Sequence, residues 1–480
     1  MSSSIQISAI VTYLLLMVAL GIYFSKREVK TSEDFMVAGR RLPRLVLIGT
    51  LLATWVGSGT VVGSASFMYQ HGPLASILSG LSGPIGIIIL YFIADKARML
   101  KKYTIPEMLE IRYGSLVRLI AAIFIILAYI GITSYQFIGG GYILSITTGL
   151  PIEIGTIITA VLVIFLATSG GLFSVAYTDF VSSLLIVFGF LLGLPFVLSA
   201  VGGFDGLASD LPDHALTWTG GLTAPQLLGY FLPPLLLILG DQNMYQRFSA
   251  AKDADTAKKS TIGFFIGDVG IKILTIIFAT AAIVLYPNIM SDTSILQVAV
   301  SGVPISIGAI ILSATVGFVI TTGNSYLLSS AGNLVFDLYS RYSRKEVPER
   351  RLLTFSRLAV IAFGTFAYVL GAFFPSVLAI QMYSYTMYGA AITPSILASF
   401  LWKRATGAGA LASIIMGGTA TMFWELVLGK PLGWNSVLFS LPLSIIALIV
   451  VSLLTKNKKI NIQYQTNSRS DQNESLSSFK

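Results

Sequence analysis

Residues 43–68 read PRLVLIGTLLATWVGSGTVVGSASFM. A bilayer-crossing helix takes about 20 mostly apolar residues, and this block supplies them. Its middle, Trp55-Val56-Gly57-Ser58-Gly59, is nevertheless a poor lipid-facing helix. Small, helix-breaking residues at membrane depth free backbone carbonyls, which is tolerated only inside protein or around a water-filled cavity. Glycines of this kind also serve close helix packing, so the block alone leaves both readings open.

Two further blocks share the property. Residues 226–248 carry Pro233-Pro234 and then Gly240-Asp241-Gln242-Asn243, and residues 303–336 carry Thr321-Thr322-Gly323-Asn324-Ser325. The blocks at 43–68 and 226–248 are second and seventh along the chain, the spacing expected of the first helices of two five-helix repeats. Interrupted helices at matching positions of two halves are the best sequence pointer to a binding site at the bilayer midplane.

Apolar blocks continue along the whole chain, about thirteen in all: 5–24, 43–68, 73–95, 117–147, 152–171, 175–200, 226–248, 260–286, 303–336, 354–373, 376–402, 408–428 and 436–455. The composition agrees. Of 480 residues 55% are hydrophobic and 11% charged, and the mean hydropathy is +0.81. A soluble globular domain carries about a quarter charged residues. The reading is an all-α polytopic membrane protein with no leftover soluble domain. The chain has no Cys and only two His, His71 and His214. That excludes disulfides, Cys-ligated metal and a Cys nucleophile. The net charge of +9 does not mark a nucleic-acid binder, because the basic residues lie between apolar blocks. Membrane lipid is the expected surrounding partner, and the oligomeric state is not legible. The first block is not read as a cleaved signal, being long, lacking a basic leader and followed by charges.

Lys and Arg placement sets orientation. Lys26, Arg27, Lys30, Arg40, Arg41 and Arg44 follow the first block. The connections Lys96–Arg118, Arg247–Lys259, Arg341–Arg357, Lys403–Arg404 and the tail from Lys456 fall on the same side if thirteen blocks are counted. The expectation is a multi-pass protein of the plasma (inner) membrane, N-terminus outside and C-terminus cytoplasmic. Its polar tail, 456–480, is expected to be disordered.

Charges inside the blocks need partners, since each costs at least about 2.5 kcal/mol facing lipid. Asp268 and Lys272 stand four apart on one helical face and can pair. Asp179 has no neighbour in sequence to neutralise it, whereas a hard cation held by oxygen atoms would do so. Thr and Ser hydroxyls at 321–325 supply such oxygens; a protonated, hydrogen-bonded Asp179 is the alternative.

Several stretches resemble the sodium:solute symporter family. They are Asp34-Phe35-Met36-Val37-Ala38-Gly39-Arg40-Arg41-Leu42-Pro43, Thr104-Ile105-Pro106-Glu107-Met108-Leu109-Glu110-Ile111-Arg112-Tyr113-Gly114, Gly170-Gly171-Leu172-Phe173-Ser174 continuing to Ala176-Tyr177-Thr178-Asp179, Gln246-Arg247 with Ser249-Ala250-Ala251-Lys252, and Phe336-Asp337-Leu338-Tyr339. Five in order span nearly the whole membrane region. The resemblance implies a LeuT-like 5+5 inverted repeat. Residues 1–42 would form a peripheral helix and loop, 43–200 the first repeat, 201–402 the second, and 403–455 two peripheral helices.

It also implies Na⁺ as coupling ion, one or two per cycle, and a small-molecule solute. The main sodium site would use carbonyls of Ala53, Val56 and Phe318 and hydroxyls of Thr321 and Thr322. A second would use Asp179, Thr321, Asn324 and Ser325. The solute would meet Trp55, Gly57, Ser58, Thr60, Asp241, Gln242, Tyr245, Lys272 and Thr386. Ala53-Thr54-Trp55-Val56-Gly57 is similar to the choline-transporting branch, where aromatic rings suit a quaternary ammonium, but Asp241-Gln242-Asn243 is not. Lys272 would suit a carboxylate if Asp268 does not neutralise it.

The implied activity is sodium-coupled import of a small polar organic solute by alternating access. Proton coupling through Asp179 on the same fold is the alternative, with a quaternary amine, amino acid, carboxylate or sugar as solute. A channel would need a filter motif or repeated acidic rings, and the sequence has neither. An intramembrane enzyme is disfavoured because both His fall in expected outer loops.

Overall fold

The computed structural model describes residues 4–456 apart from 29, 30, 101, 170, 210 and 344–346. The expected disordered tail beyond Lys456 therefore lies outside the described residues. Among them helices are the only extended secondary structure, with one isolated bridge, Leu42 to Ala251. The long helices are α1 (Ser4–Glu28), α2 (Arg44–Ser58), α3 (Ala65–Gly80), α4 (Ser82–Tyr91), α5 (Ser115–Thr148), α6 (Ile152–Ser169), α7 (Gly171–Ala200), α8 (Ala224–Gly240), α9 (Gln242–Ala250), α10 (Ala254–Leu285), α11 (Ile305–Gly332), α12 (Glu349–Gly371), α13 (Val377–Leu401), α14 (Gly407–Met422) and α15 (Val437–Leu454).

Each of the expected apolar blocks has a helical counterpart. The second block is α2, a wide π-helical turn Gly59–Ser64 and the first part of α3. The chain then turns at Gly72 (φ 83°), and Pro73 opens the next crossing. Both interrupted helices are interrupted, each for a local reason. Gly57 adopts φ 29° and ψ −165°, a conformation a side chain disfavours. In the seventh block the helix runs through Pro233-Pro234 and stops at Asp241 (φ −60°, ψ 117°), which then caps α9 by accepting the Asn243 N–H. Block nine differs from expectation: α11 runs unbroken through Thr321–Ser325.

The core is a bundle around α2, α5, α7, α11 and α13, with α14 and α15 packed together at its edge. Small residues let the backbones approach. A Cβ on Gly49 would stand 2.7 Å from the Phe180 backbone of α7. The basic side is closed by polar contacts. Leu42 N–H donates to the Ala250 carbonyl at 3.0 Å and Lys252 N–H to the Leu42 carbonyl at 3.2 Å. That ties the foot of α2 to the end of α9.

A helix at Ile105–Tyr113, capped by Thr104, closes the same side. Arg118, buried at the start of α5, reaches Asp337 (2.7 Å) and Glu110 (2.6 Å), and Arg341 also grips Glu110 (2.8 Å). Burial pushes Glu110 up, but hydrogen bonds from Arg341 and Arg118 outweigh it and hold its carboxyl below the usual 4.5. Its stabilising contribution is therefore complete above that pH and fades only as pH falls through the depressed value. Removing one partner of a buried pair strands the other charge, at about 3–5 kcal/mol. Arg118→Met should lower the melting temperature of purified protein by several degrees; an unchanged melt would show the cluster to be incidental.

Candidate functional site

The helix break places the main candidate site. Because α2 ends its helical path at Gly57, it lies flush against α11. A Cβ on Gly57 would sit 3.1 Å from the Thr322 hydroxyl. That hydroxyl donates to the Ala53 carbonyl at 2.8 Å. On the adjacent residue, the Thr321 hydroxyl donates to the Phe318 carbonyl at 3.4 Å. The Val56 carbonyl is capped by the Gly59 N–H. All of these residues are buried. Of these contacts the Thr322–Ala53 one crosses between the two helices; neutral carbonyl and hydroxyl oxygens are hard donors, suited to an alkali cation rather than a transition metal.

The second expected site is altered by a residue the sequence reading left in a basic connection. Arg247, fully buried, inserts its guanidinium among the expected ligands. Its Nη2 lies 3.3 Å from Asp179 Oδ2 and donates to the Ser325 hydroxyl at 2.9 Å. Its Nε donates to the Thr50 hydroxyl at 2.9 Å and the Thr50 carbonyl at 3.2 Å, and its Nη1 to the Asn243 carbonyl at 3.3 Å. Asp179 is thus paired with a cation of the protein itself, one that lies 68 residues away and so is not a neighbour in sequence. Thr50 also donates to Asp179 Oδ2, at 2.5 Å. Asp179 Oδ1 and Asn324 Oδ1 are buried with no hydrogen-bond partner. Asn324 also lines a cavity of about 10 Å³, together with Ser174, Thr178 and Thr321 among others.

A larger cavity of about 530 Å³ opens between α3, α4, α8, α10 and α13. Of the expected solute residues it takes in Trp55, Thr60 and Lys272. The Trp55 indole stacks on Tyr385 (6.4 Å between centroids, 16° between planes), and the Tyr385 and Tyr135 hydroxyls meet at 3.1 Å. Lys272 Nζ bonds Asp268 Oδ2 at 2.9 Å, as the i,i+4 spacing predicts. It passes directly over Gly83, where a Cβ would overlap it, with Trp55 Nε1 3.4 Å from the same point. Gln381 Oε1 and Thr275 Oγ1 are buried, lack partners and belong to residues of this wall. Most of the remaining wall is apolar, including Phe67, Met68, Phe265 and Met382.

The other expected solute residues point elsewhere. Gly57 faces Thr322. Ser58 donates to Gln136 Oε1 (2.7 Å). Asp241 accepts from the Tyr129 hydroxyl, the Tyr326 hydroxyl (2.9 Å) and the Asn243 N–H (3.1 Å). Gln242 accepts from Ile105 N–H (3.1 Å) and donates to Asn333 (2.8 Å). Tyr245 donates to the Leu239 carbonyl (3.0 Å), and Thr386 to Asn435 (2.8 Å). Each has satisfied its polar group within the protein wall, so none lines the cavity. Gln381, Tyr385 and Thr275 were missed although Lys272 and Thr386 on the same helices were named, because only the fold shows which side chains of those helices line the cavity.

The family model described as the sodium:solute symporter family matches residues 35–417. The chain belongs to the sodium:solute symporter family. The symporter is similar to the osmoregulated proline transporter OpuE of Bacillus subtilis, 27% identical over 92% of this chain and 94% of that one. The sodium/pantothenate symporter of Escherichia coli is 25% identical over 92% and 95%. The sodium/glucose cotransporter of Vibrio parahaemolyticus is 23% identical over 94% and 91%. Among solved structures, a substrate-bound, outward-open Na⁺-coupled sialic acid symporter superposes with a TM-score of 0.81 at 21% identity, covering 95% of this chain and 98% of that one. The fold is therefore the LeuT-like one, and the chain is a multi-pass membrane protein that carries out sodium-coupled solute symport; it is not an enzyme.

Gly57→Ala tests the break. It would strain the backbone by about 1–3 kcal/mol and crowd Thr322. The variant should lose most of the thermal stabilisation by NaCl over choline chloride; full retention would contradict the assignment of the break to ion binding.

Proposed function

We propose that the symporter imports a small polar organic solute bearing a carboxylate, driven by sodium bound between α2 and α11. The Thr322-to-Ala53 contact beside Gly57 carries this reading. It puts a hydroxyl and a carbonyl from two different helices into one small oxygen cluster. Ala53, Val56, Phe318, Thr321 and Thr322 hold the ion. Sodium there joins α2 to α11 and favours the conformation able to take solute. Opening to the basic side then releases both. The Lys and Arg bias supports a cytoplasmic basic side, an outer N-terminus and residence in the inner membrane. Each sodium moved inward contributes about 2.3 kcal/mol per 100 mV of membrane potential.

The solute assignment rests on Lys272, Asp268, Gln381 and the Trp55–Tyr385 pair. Lys272 supplies a cation to a carboxylate, and Asp268, freed from Lys272, accepts from an ammonium or hydroxyl of the same solute. Two rings do not make a cage for a quaternary ammonium. The named substrates of the relatives include proline and pantothenate, both carboxylates.

Thr321→Ala with Thr322→Ala should abolish sodium-stimulated uptake in proteoliposomes while the protein stays folded. Unchanged sodium dependence, or uptake driven by a pH gradient in sodium-free buffer, would reject the site in favour of proton coupling. Lys272→Met should raise KM for a carboxylate solute found by screening about 10- to 100-fold, since a charged hydrogen bond is worth about 1.5–3 kcal/mol. An unchanged KM would remove Lys272 from the solute site.

A further inference from the structure

At the break in α2 the released backbone group is met by a side chain from a third helix, Gln136 of α5. Its Oε1 accepts from the Ser58 N–H at 2.9 Å and from the Ser58 hydroxyl at 2.7 Å. In an unbroken helix that N–H would donate to the carbonyl four residues back; the turn at Gly57 releases it. A backbone N–H only donates, so the atom facing it is the amide oxygen and not the nitrogen. The nitrogen, Nε2, is buried without a hydrogen-bond partner, 2.9 Å from where a Cβ on Gly57 would stand. An unmet buried donor is costly, so the oxygen's contacts are what hold this side chain. Neighbouring glycines make room for it. A Cβ on Gly139, three residues further along α5, would stand 2.5 Å from the Ser58 Cβ. On the other flank, a Cβ on Gly323 of α11 would stand 3.4 Å from the Gln136 Cβ.

We propose that Gln136 is a positioning residue for the sodium between α2 and α11: it replaces the lost helical partner of Ser58 and so keeps the break open for the ion. Two anchors then bracket the break. On one side Thr322 holds the Ala53 carbonyl, and on the other Gln136 holds Ser58. Only Thr54, Trp55, Val56 and Gly57 lie between them, which leaves the Val56 carbonyl little freedom to turn. Without Gln136 the Ser58 N–H is a stranded buried donor, and a buried backbone donor must find a partner. The nearest remedy is the helical bond, which straightens the segment and withdraws its oxygens. A break already fixed when the ion arrives spares the cost of ordering it on binding. Gln136 acts through Ser58 and gives no atom to the ion. The inference rests on the sodium site between α2 and α11.

The test is the sodium concentration at half-saturation, read from equilibrium binding of ²²Na⁺ to the detergent-purified full chain, which needs no knowledge of the solute. Q136L keeps the bulk and removes the acceptor. It should raise half-saturation about tenfold, the scale set by one stranded buried donor. Q136N, a methylene short of Ser58, should behave as Q136L does. Q136E keeps an oxygen at the same reach and should restore half-saturation to the wild-type value or below. A purely structural role would lower melting temperatures in choline chloride and leave half-saturation unmoved. An unmoved value for monodisperse Q136L or Q136N, or a Q136E as weak as Q136L, overturns the proposal. Should those variants fail to fold, a density map of wild type in NaCl decides. Gln136 Oε1 within hydrogen-bond distance of the Ser58 nitrogen supports the proposal, and a Gln136 turned away from Ser58 with the ion bound overturns it. If wild type binds no sodium, or T321A/T322A leaves half-saturation unmoved, the sodium site itself fails and the proposal falls with it.

Discussion

A threonine hydroxyl reaching a carbonyl across two helices is the contact on which the rest of this structure turns. Thr322 of α11 donates to Ala53 of α2, and the approach is possible only because Gly57 leaves the helical path. An intact helix would keep its carbonyls engaged and its side chains outward. A break exposes oxygens, and the neighbouring unbroken helix contributes hydroxyls to meet them. Where a break lies at membrane depth, something must stand in for the lost hydrogen bonds. In the proposed account an alkali ion does so while adding a charge that the membrane potential can act upon.

The same rule of satisfaction organises the buried charges. Asp179 is met by Arg247, Asp268 by Lys272 and Asp337 by Arg118. Asp241 has tyrosine hydroxyls and the amino end of α9 instead of a cation. Only the Asp268–Lys272 pair borders the large cavity, and it is also the pair with a partly exposed member. The others fasten helices to one another. Position relative to the cavity thus separates groups available to a solute from groups that hold the bundle together.

Much of this was legible in the sequence, for local reasons. Apolar runs marked the helices, and Gly57 and Asp241 marked the two interruptions because glycine and a capping aspartate act within a few residues. Asp268 and Lys272 declared themselves by helical spacing. The rest depended on distance along the chain. Arg247 reads as a loop cation until folding brings it to Asp179, 68 residues away. Gln242, Tyr245 and Thr386 sit close to the break or in the right helix, but side-chain direction sends them into the wall. Trp55 was placed by position and falls on the cavity, whereas its stacking partner Tyr385 lies 330 residues away and is brought to it only by the fold.

The most direct measurement is an experimental density map of the protein in lipid nanodiscs at high NaCl. The account predicts a break at Gly57 and an isolated peak between the carbonyls of Ala53, Val56 and Phe318 and the hydroxyls of Thr321 and Thr322, absent when choline replaces sodium. A continuous helix through residues 53–60, or residues 53–56 and 318–322 held apart in every state observed, would contradict it.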